Sequence, residues 1–177
     1  GSLQSELHRY PTDAELAELS REFERLPATK IIQWAVDNFA PHLALTASMT
    51  DAVLIDLAVK VFPAIEVVFI DTGFLFPETY HYVEELTARL PKLDLRIYQP
   101  TVSAARMQAL WGNLWEGSKE DQDRYATLTK IEPMNRALRE TGDNADAINA
   151  YRKAIERREA LVAAQPNVPQ YQNGLAN

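Results

Sequence analysis

Residues 66–80 read EVVFIDTGFLFPETY, and the fold turns on this stretch. Glu66–Ile70 is a β-branched run of strand character that stops at Asp71-Thr72-Gly73. Pro77 then stands in the first turn of a helix expected over Pro77–Leu90, with acids at Glu78, Glu84 and Glu85. Working outward, His42–Thr46 (HLALT) is an apolar strand bounded by Pro41, and Asp94–Tyr98 (DLRIY) alternates and ends at Pro100. Asp51–Phe62, between the first two strands, places Val53, Leu54, Leu57, Ala58 and Val61 at helical spacing. Alternating strands and helices at this interval predict right-handed βαβ units, hence an α/β fold with a parallel sheet of three strands in the order 3-2-1, flanked by helices. Ligands in such sheets sit at the carboxyl ends of the strands. That rule selects Thr46–Thr50, Asp71–Phe74 and the segment after Tyr98.

The flanks read as helical. Thr12-Asp13 caps a helix running through Leu16, Leu19 and Phe23, and a second helix follows Pro27 with Ile31, Ile32, Trp34, Ala35 and Phe39 as its apolar residues. In Val102–Leu138, Trp111 and Trp115 have the spacing of one helix face, Asp121–Arg124 is a polar loop candidate, and Pro133 opens a helix through Met134, Ala137 and Leu138. The texture changes at Gly142. Asp146–Ala164 has the stripe of one long amphipathic helix, ended by Pro166 and Pro169. The expected division is an α/β domain over 1–140 and a helical tail over 141–177 that packs on it.

Composition narrows the function classes. The 177 residues, 46% of them apolar, suit one domain with a real core. A net charge of −7 argues against nucleic acid as partner, because neutralising a phosphate backbone needs clustered Lys and Arg. There is no cysteine, which removes disulfides, thiol nucleophiles and iron–sulfur ligation, and His8, His42 and His81 lack ligand spacing, so no cofactor or metal is expected. No run reaches the apolar length of a membrane span and no signal peptide is visible, so the cytoplasm is the expected compartment.

Two loops carry the candidate chemistry. Thr46-Ala47-Ser48-Met49-Thr50-Asp51 joins a strand to a helix, where unpaired N–H groups, with the hydroxyls of Thr46, Ser48 and Thr50, suit a phosphate. The same residues also serve as a plain helix cap, and the loop has no glycine. Asp71-Thr72-Gly73 reads as a nucleotide contact at the sheet edge or as a turn in which Asp71 satisfies local N–H groups. The paired carboxylates of an Asp-Thr-Gly protease demand all-β surroundings, and the βαβ context argues against them. Lys130, Arg124, Arg136 and Arg139 gather positive charge in an acidic chain, for an anion or for Glu132 and Glu140. Trp111 and Trp115 suit packing better than a stacking platform for a base.

Taken together, VVFIDTGFLFPETYHYVEELTARL (67–90), LRIYQP (95–100), WGNLWE (111–116) and DRYATLTKIEPMNRAL (123–138) resemble the PAPS/APS (phosphoadenylyl-sulfate) reductase family, in family order, over about Thr29–Arg139. The resemblance implies an adenine nucleotide α-hydrolase-like, three-layer fold with a nucleotide site between the loops after the first and second strands. Thr46 falls where the family carries a serine of its modified phosphate-binding loop. Asp71, Thr72 and Gly73 match the family's own DTG, and Lys130 matches the lysine of its KVEP-type motif. Expected ligands are PAP, PAPS or AMP.

Departures accompany the matches. Ser48 lies where many members have glycine and Ala47 where they have an aromatic residue. Ala126 stands where cluster-containing APS reductases place cysteine. Past Arg139 the family's next strand, its Arg-rich segment and its C-terminal cysteine motif are not found, so the expectation is a degenerate domain that binds nucleotide weakly and has no thiolate to attack sulfur. Residues 141–177 resemble one tetratricopeptide-type repeat, and the junction points to a truncated, chimeric or engineered sequence. The first strand would then be a sheet edge, covered by the tail or paired in a homodimer. The rival expectation is a structural or interaction domain in which the motifs survive as packing.

Overall fold

A computed structural model describes residues 12–140 of the chain. Two helices lead in, α1 (Asp13–Phe23) and α2 (Ala28–Phe39). Three strands follow, β1 (Ala44–Ala47), β2 (Glu66–Ile70) and β3 (Asp94–Tyr98), separated by α3 (Val53–Val61) and α4 (Pro77–Arg89). Beyond β3 come α5 (Ala104–Trp111), a 3-10 turn at Leu114–Glu116, α6 (Lys119–Ala126), a π-turn at Thr127–Ile131 and α7 (Glu132–Glu140). The strands are parallel with β2 in the middle, and Ala44, Glu66 and Asp94 align across the ladder. This is the α/β sheet and strand order that the alternation of elements implied, with β1 starting two residues later than His42.

Alternation along β2 makes three layers. Val67 and Phe69 face the larger core with Ile55 and Ala58 of α3 and Val83 and Leu86 of α4. Val68 faces the opposite way, against Met134 and Ala137 of α7. Side chains of successive strand residues point to opposite faces, so a strand buried on both sides reads as an unbroken apolar run. α1 begins with a capping box, in which Thr12 Oγ1 accepts the Glu15 N–H at 3.3 Å and Glu15 Oε2 accepts the Thr12 N–H at 2.7 Å. Trp34 of α2 packs edge-on against Phe23 at 5.1 Å, joining the two leading helices.

Three local expectations are corrected. Asp121–Arg124 is helix, inside α6, because Ser118 and Asp121 form a second capping box: Ser118 Oγ accepts the Asp121 N–H at 3.2 Å and Asp121 Oδ2 accepts the Ser118 N–H at 3.0 Å. The Ser118 hydroxyl, which also donates to Asp121 Oδ2 at 2.7 Å, and then the Ser118 N–H hold the Asp121 carboxyl below its usual range. Trp111 and Trp115 do not share a helix, since Gly112, in the left-handed region at φ 68°, ends α5 between them. The helix expected from Pro133 through Met134, Ala137 and Leu138 is present as α7, but Pro133 is its second residue and no break precedes it: residues 119–140 run on through the π-turn, where the Glu132 N–H reaches back five residues to the Thr127 carbonyl. A proline lacks an N–H and its ring crowds the carbonyl four residues earlier, and the wider turn just before Pro133 relieves both. The amphipathic helix expected over Asp146–Ala164, and its packing on β1, lie outside the described residues. No helix among the described residues is long and apolar enough to cross a membrane.

Candidate functional site

The carboxyl ends of β1 and β2 open on a cavity of about 340 Å³. Three segments wall it: Thr46 and Ala47 at the end of β1 with Ser48 beyond, the end of β2 with Thr72 and Leu75 beyond it, and Lys130 with Met134 from the far side. Lys130 belongs to the π-turn and Met134 follows it on α7, so the turn that accommodates Pro133 also sets the direction of the lysine. The volume lies at the small end of the range for ligand sites, and the lining pairs apolar side chains with a few hydroxyls and one cation.

Of the seven residues singled out from sequence, Thr46, Ser48, Thr72 and Lys130 line this cavity together. The other three, Thr50, Asp71 and Gly73, are not among its lining residues. Thr50 shares a 2.8 Å hydrogen bond with Ser48, hydroxyl to hydroxyl. Asp71 is buried, at 3% exposure, and accepts from the Gly73 N–H at 2.9 Å, the Tyr80 hydroxyl at 2.9 Å and the Gln99 amide at 2.7 Å. Its carboxylate therefore fixes the turn after β2 and ties that turn to α4 and to the segment after β3. Burial first, and then the bond to Asp71, raises the Tyr80 pKa. Gly73 sits at φ 79°, in the left-handed region where a side chain is strained.

The loop after β1 is built without glycine. Met49, at φ 57° and 4% exposed, takes the left-handed position and plugs the loop into the larger core. Asp51 Oδ1 accepts the Val53 N–H at 2.9 Å ahead of α3, so one donor that an anion would seek is already bound by a carboxylate. The polar groups that face the cavity are thus side chains, Thr46, Ser48, Thr72 and Lys130, more than helix-end amides.

Gln99, Phe74 and Tyr125 help hold the site together and were not singled out from sequence. Gln99 grips Asp71 through its side chain, while its carbonyl accepts from Arg136, which also pairs with Glu132 at 3.4 Å. Phe74, Trp115 and Tyr125 form an aromatic triad, with centroids 5.0 Å apart for Phe74–Trp115 and 5.7 Å for the other two pairs. The Arg124 guanidinium lies 3.9 Å from the Trp111 ring centroid. The DTG turn was a legible signal for Asp71 and Gly73, whereas Gln99, Tyr125 and Met49 owe their places to tertiary contacts across dozens of residues. Among the described residues no cluster of His, Asp or Glu has the makeup of a metal site.

Fold and cavity define the class: a three-layer α/β domain with a parallel sheet and a binding cleft at its carboxyl edge. Within that class, the family model for the phosphoadenosine phosphosulfate reductase domain matches residues 41–161, and the chain belongs to that family. A phosphoadenosine 5'-phosphosulfate reductase of Synechococcus sp. is 45% identical over 149 residues, 82% of this chain and 64% of the relative. One from Escherichia coli is 42% identical over 138 residues, 77% of this chain and 56% of the relative. The chain thus spans less than two thirds of the length of these relatives. Among solved structures, the phosphate complex of phosphoadenylyl-sulfate (PAPS) reductase from Candida auris superposes with a TM-score of 0.64 at 31% identity, covering 76% of this chain and 66% of that one. The family match runs to residue 161, well past Arg139, so it includes part of the stretch whose texture resembled a tetratricopeptide repeat.

Proposed function

We propose that this domain binds an adenine nucleotide of the PAP or PAPS type in the carboxyl-edge cavity, as part of sulfate assimilation. The observation that carries this is the convergence of Thr46, Ser48, Thr72 and Lys130, from three separate segments, on one cavity of about 340 Å³. Lys130 supplies the charge for a phosphate or sulfate, the hydroxyls supply directed hydrogen bonds, and Leu75 and Met134 offer apolar surface to a base. Relatives named as phosphoadenosine 5'-phosphosulfate reductases, and a structural neighbour solved as a phosphate complex, support the same ligand class.

Thiolate attack on sulfur is a different matter. The 177 residues contain no cysteine, so within them nothing can form the covalent thiol intermediate of a sulfur-reducing step. We assign this stretch nucleotide binding alone, of low affinity, without reductase chemistry of its own. Calorimetric titration with PAP tests the assignment. Saturable heat is expected, with affinity falling about 10- to 100-fold in Lys130→Ala, the worth of one charge-assisted contact. Heat indistinguishable from buffer at millimolar PAP defeats it.

A second reading, an interaction domain, draws on exposed apolar side chains at the same end of the sheet: Phe76 is 77% exposed and Val53 65%. Among the described residues β1 has a strand neighbour on one side only, which leaves pairing in a homodimer open to test by sedimentation.

A further inference from the structure

Tyr98 and Gln99, at the end of β3 and just past it, hold two separate parts of the molecule at once. Toward β2 they are bonded twice to Asp71: the Asp71 N–H donates to the Tyr98 carbonyl at 2.9 Å, and the Gln99 side-chain amide donates to Asp71 Oδ2 at 2.7 Å. Toward α7 they are bonded twice more: the Tyr98 hydroxyl donates to Glu140 Oε2 at 3.0 Å, and Arg136 Nη2 donates to the Gln99 carbonyl. The same guanidinium reaches Glu132 Oε1 through Nη1 at 3.4 Å. Glu132 is the residue whose N–H closes the π-turn, and Lys130 stands two residues before it. Arg136 therefore spans from the π-turn end of α7 to the segment after β3. Gln99 carries the connection on to the turn after β2, where the Gly73 N–H also bonds Asp71 at 2.9 Å. Arg136 is not itself among the residues that line the cavity.

The other contacts of α7 with the sheet are largely apolar, Met134 and Ala137 against Val68. Apolar contact is non-directional, so by itself it leaves a helix free to slide or roll on the sheet. A guanidinium presents its donors in a fixed planar fork, which sets direction as well as distance. The Arg136 side chain is 30% exposed, partly withdrawn from water, where such a bond is stronger than at the open surface. We infer that Arg136 is a positioning residue, which locks α7 through Gln99 to the Asp71 turn and so holds Lys130 and Met134 at a set spacing from Thr72 across the cavity. The ligand consequence rests on the nucleotide reading given above; the coupling itself does not.

The substitution Arg136→Met keeps an apolar stem and removes the donors. Amide hydrogen exchange on the ligand-free chain is the first measurement, read at the N–H groups of Asp71, Gly73 and Phe74, which bond to Tyr98, Asp71 and Thr72 and not to Arg136. The expected result is exchange about 3- to 10-fold faster at these three amides over any change in α3, the loss of one hydrogen bond passed on through Gln99. A rise confined to α7, or one as large in α3, overturns the coupling. Gln99→Leu checks the route, since it cuts the side-chain bond to Asp71 and leaves the carbonyl for Arg136. In that background Arg136→Met should no longer move the three amides, and an undiminished effect overturns the relay. Should Arg136→Met fail to fold, Arg136→Lys, which keeps the charge but not the fork, replaces it in every arm. The second measurement is PAP titration of wild type, Arg136→Met, Lys130→Ala and the double variant. Acting through Lys130, Arg136→Met weakens PAP about 3- to 10-fold, and that loss disappears in the Lys130→Ala background. Losses that multiply independently, or no loss in Arg136→Met, overturn the positioning role. A wild type that binds no PAP defeats the nucleotide reading, while hydrogen exchange still decides the coupling.

Discussion

Removing the Asp71 carboxylate should loosen the whole carboxyl edge of the sheet, and the size of the effect follows from its three partners. Asp71 is 3% exposed, and its oxygens accept from the Gly73 N–H, the Tyr80 hydroxyl and the Gln99 amide at 2.7–2.9 Å. Hydrogen bonds to a charged acceptor contribute about 1.5–3 kcal/mol each, and a donor left buried without a partner costs about as much. Tyr80 is 40% exposed, so in Asp71→Ala its hydroxyl turns to water and most of its loss is recovered. The Gly73 N–H and the Gln99 amide have less recourse. Asp71→Ala is therefore expected to cost about 3–4 kcal/mol, which for a chain of this length lowers the melting temperature by about 6–16 °C. Asp71→Asn separates acceptor geometry from charge. Its oxygen still serves Gly73 and Tyr80, and Gln99 has only to turn its amide over to present oxygen to the new NH2, so the expected cost is about 1 kcal/mol. Differential scanning calorimetry of the three proteins at neutral pH decides the matter. If Asp71→Ala melts within about 2 °C of wild type, the carboxylate is not the tie between β2, α4 and the segment after β3. If Asp71→Asn falls as far as Asp71→Ala, charge and not acceptor count is what matters.

Three further outcomes follow from the same structure. Gly73→Ala should cost about 1–2 kcal/mol through its φ of 79° alone, since a Cβ there would meet Ala104 at an ordinary 3.5 Å; chemical denaturation showing no loss would mean the turn relaxes. Burial raises the Glu66 pKa, Arg96 draws it back, and Asp94 and Glu140 add to the rise. The folded state then keeps that proton to higher pH than the unfolded chain. The stability it contributes is complete below the unfolded pKa and is lost as pH climbs through the folded one. Glu66→Gln should accordingly gain on wild type in thermal melts from mild acid to neutral pH, and a constant gap across that window would contradict the shift. Finally, burial and the 3.0 Å hydrogen bond to Glu140 push the Tyr98 phenol up to about 12, so Tyr98→Phe should delete the most alkaline step from an ultraviolet phenolate titration, leaving the lower steps in place.

How much of this was legible varied with the range of the forces involved. The Glu66–Ile70 and Asp94–Tyr98 strands were readable to the residue, because β-branched runs closed by a turn or a proline carry their own boundaries. α6 was missed where the pattern was polar on every side. None of its residues is buried, so no apolar stripe marks it, although the Ser118–Asp121 capping box was there as a start signal. Trp111 and Trp115 misled for the opposite reason: their spacing is helical, but Gly112 between them takes a left-handed φ that spacing alone cannot reveal.

The sequence by itself determined the βαβ alternation, the strand order and the family, since each of these is written in residues adjacent along the chain. Only the tertiary structure decided that Asp71 braces the turn after β2, that Met49 plugs a loop lacking glycine, and that Tyr125 packs against Phe74 and Trp115. Such roles depend on which distant groups arrive beside a side chain once the sheet closes. Local propensity holds no record of a neighbour nearly thirty, or more than fifty, residues away.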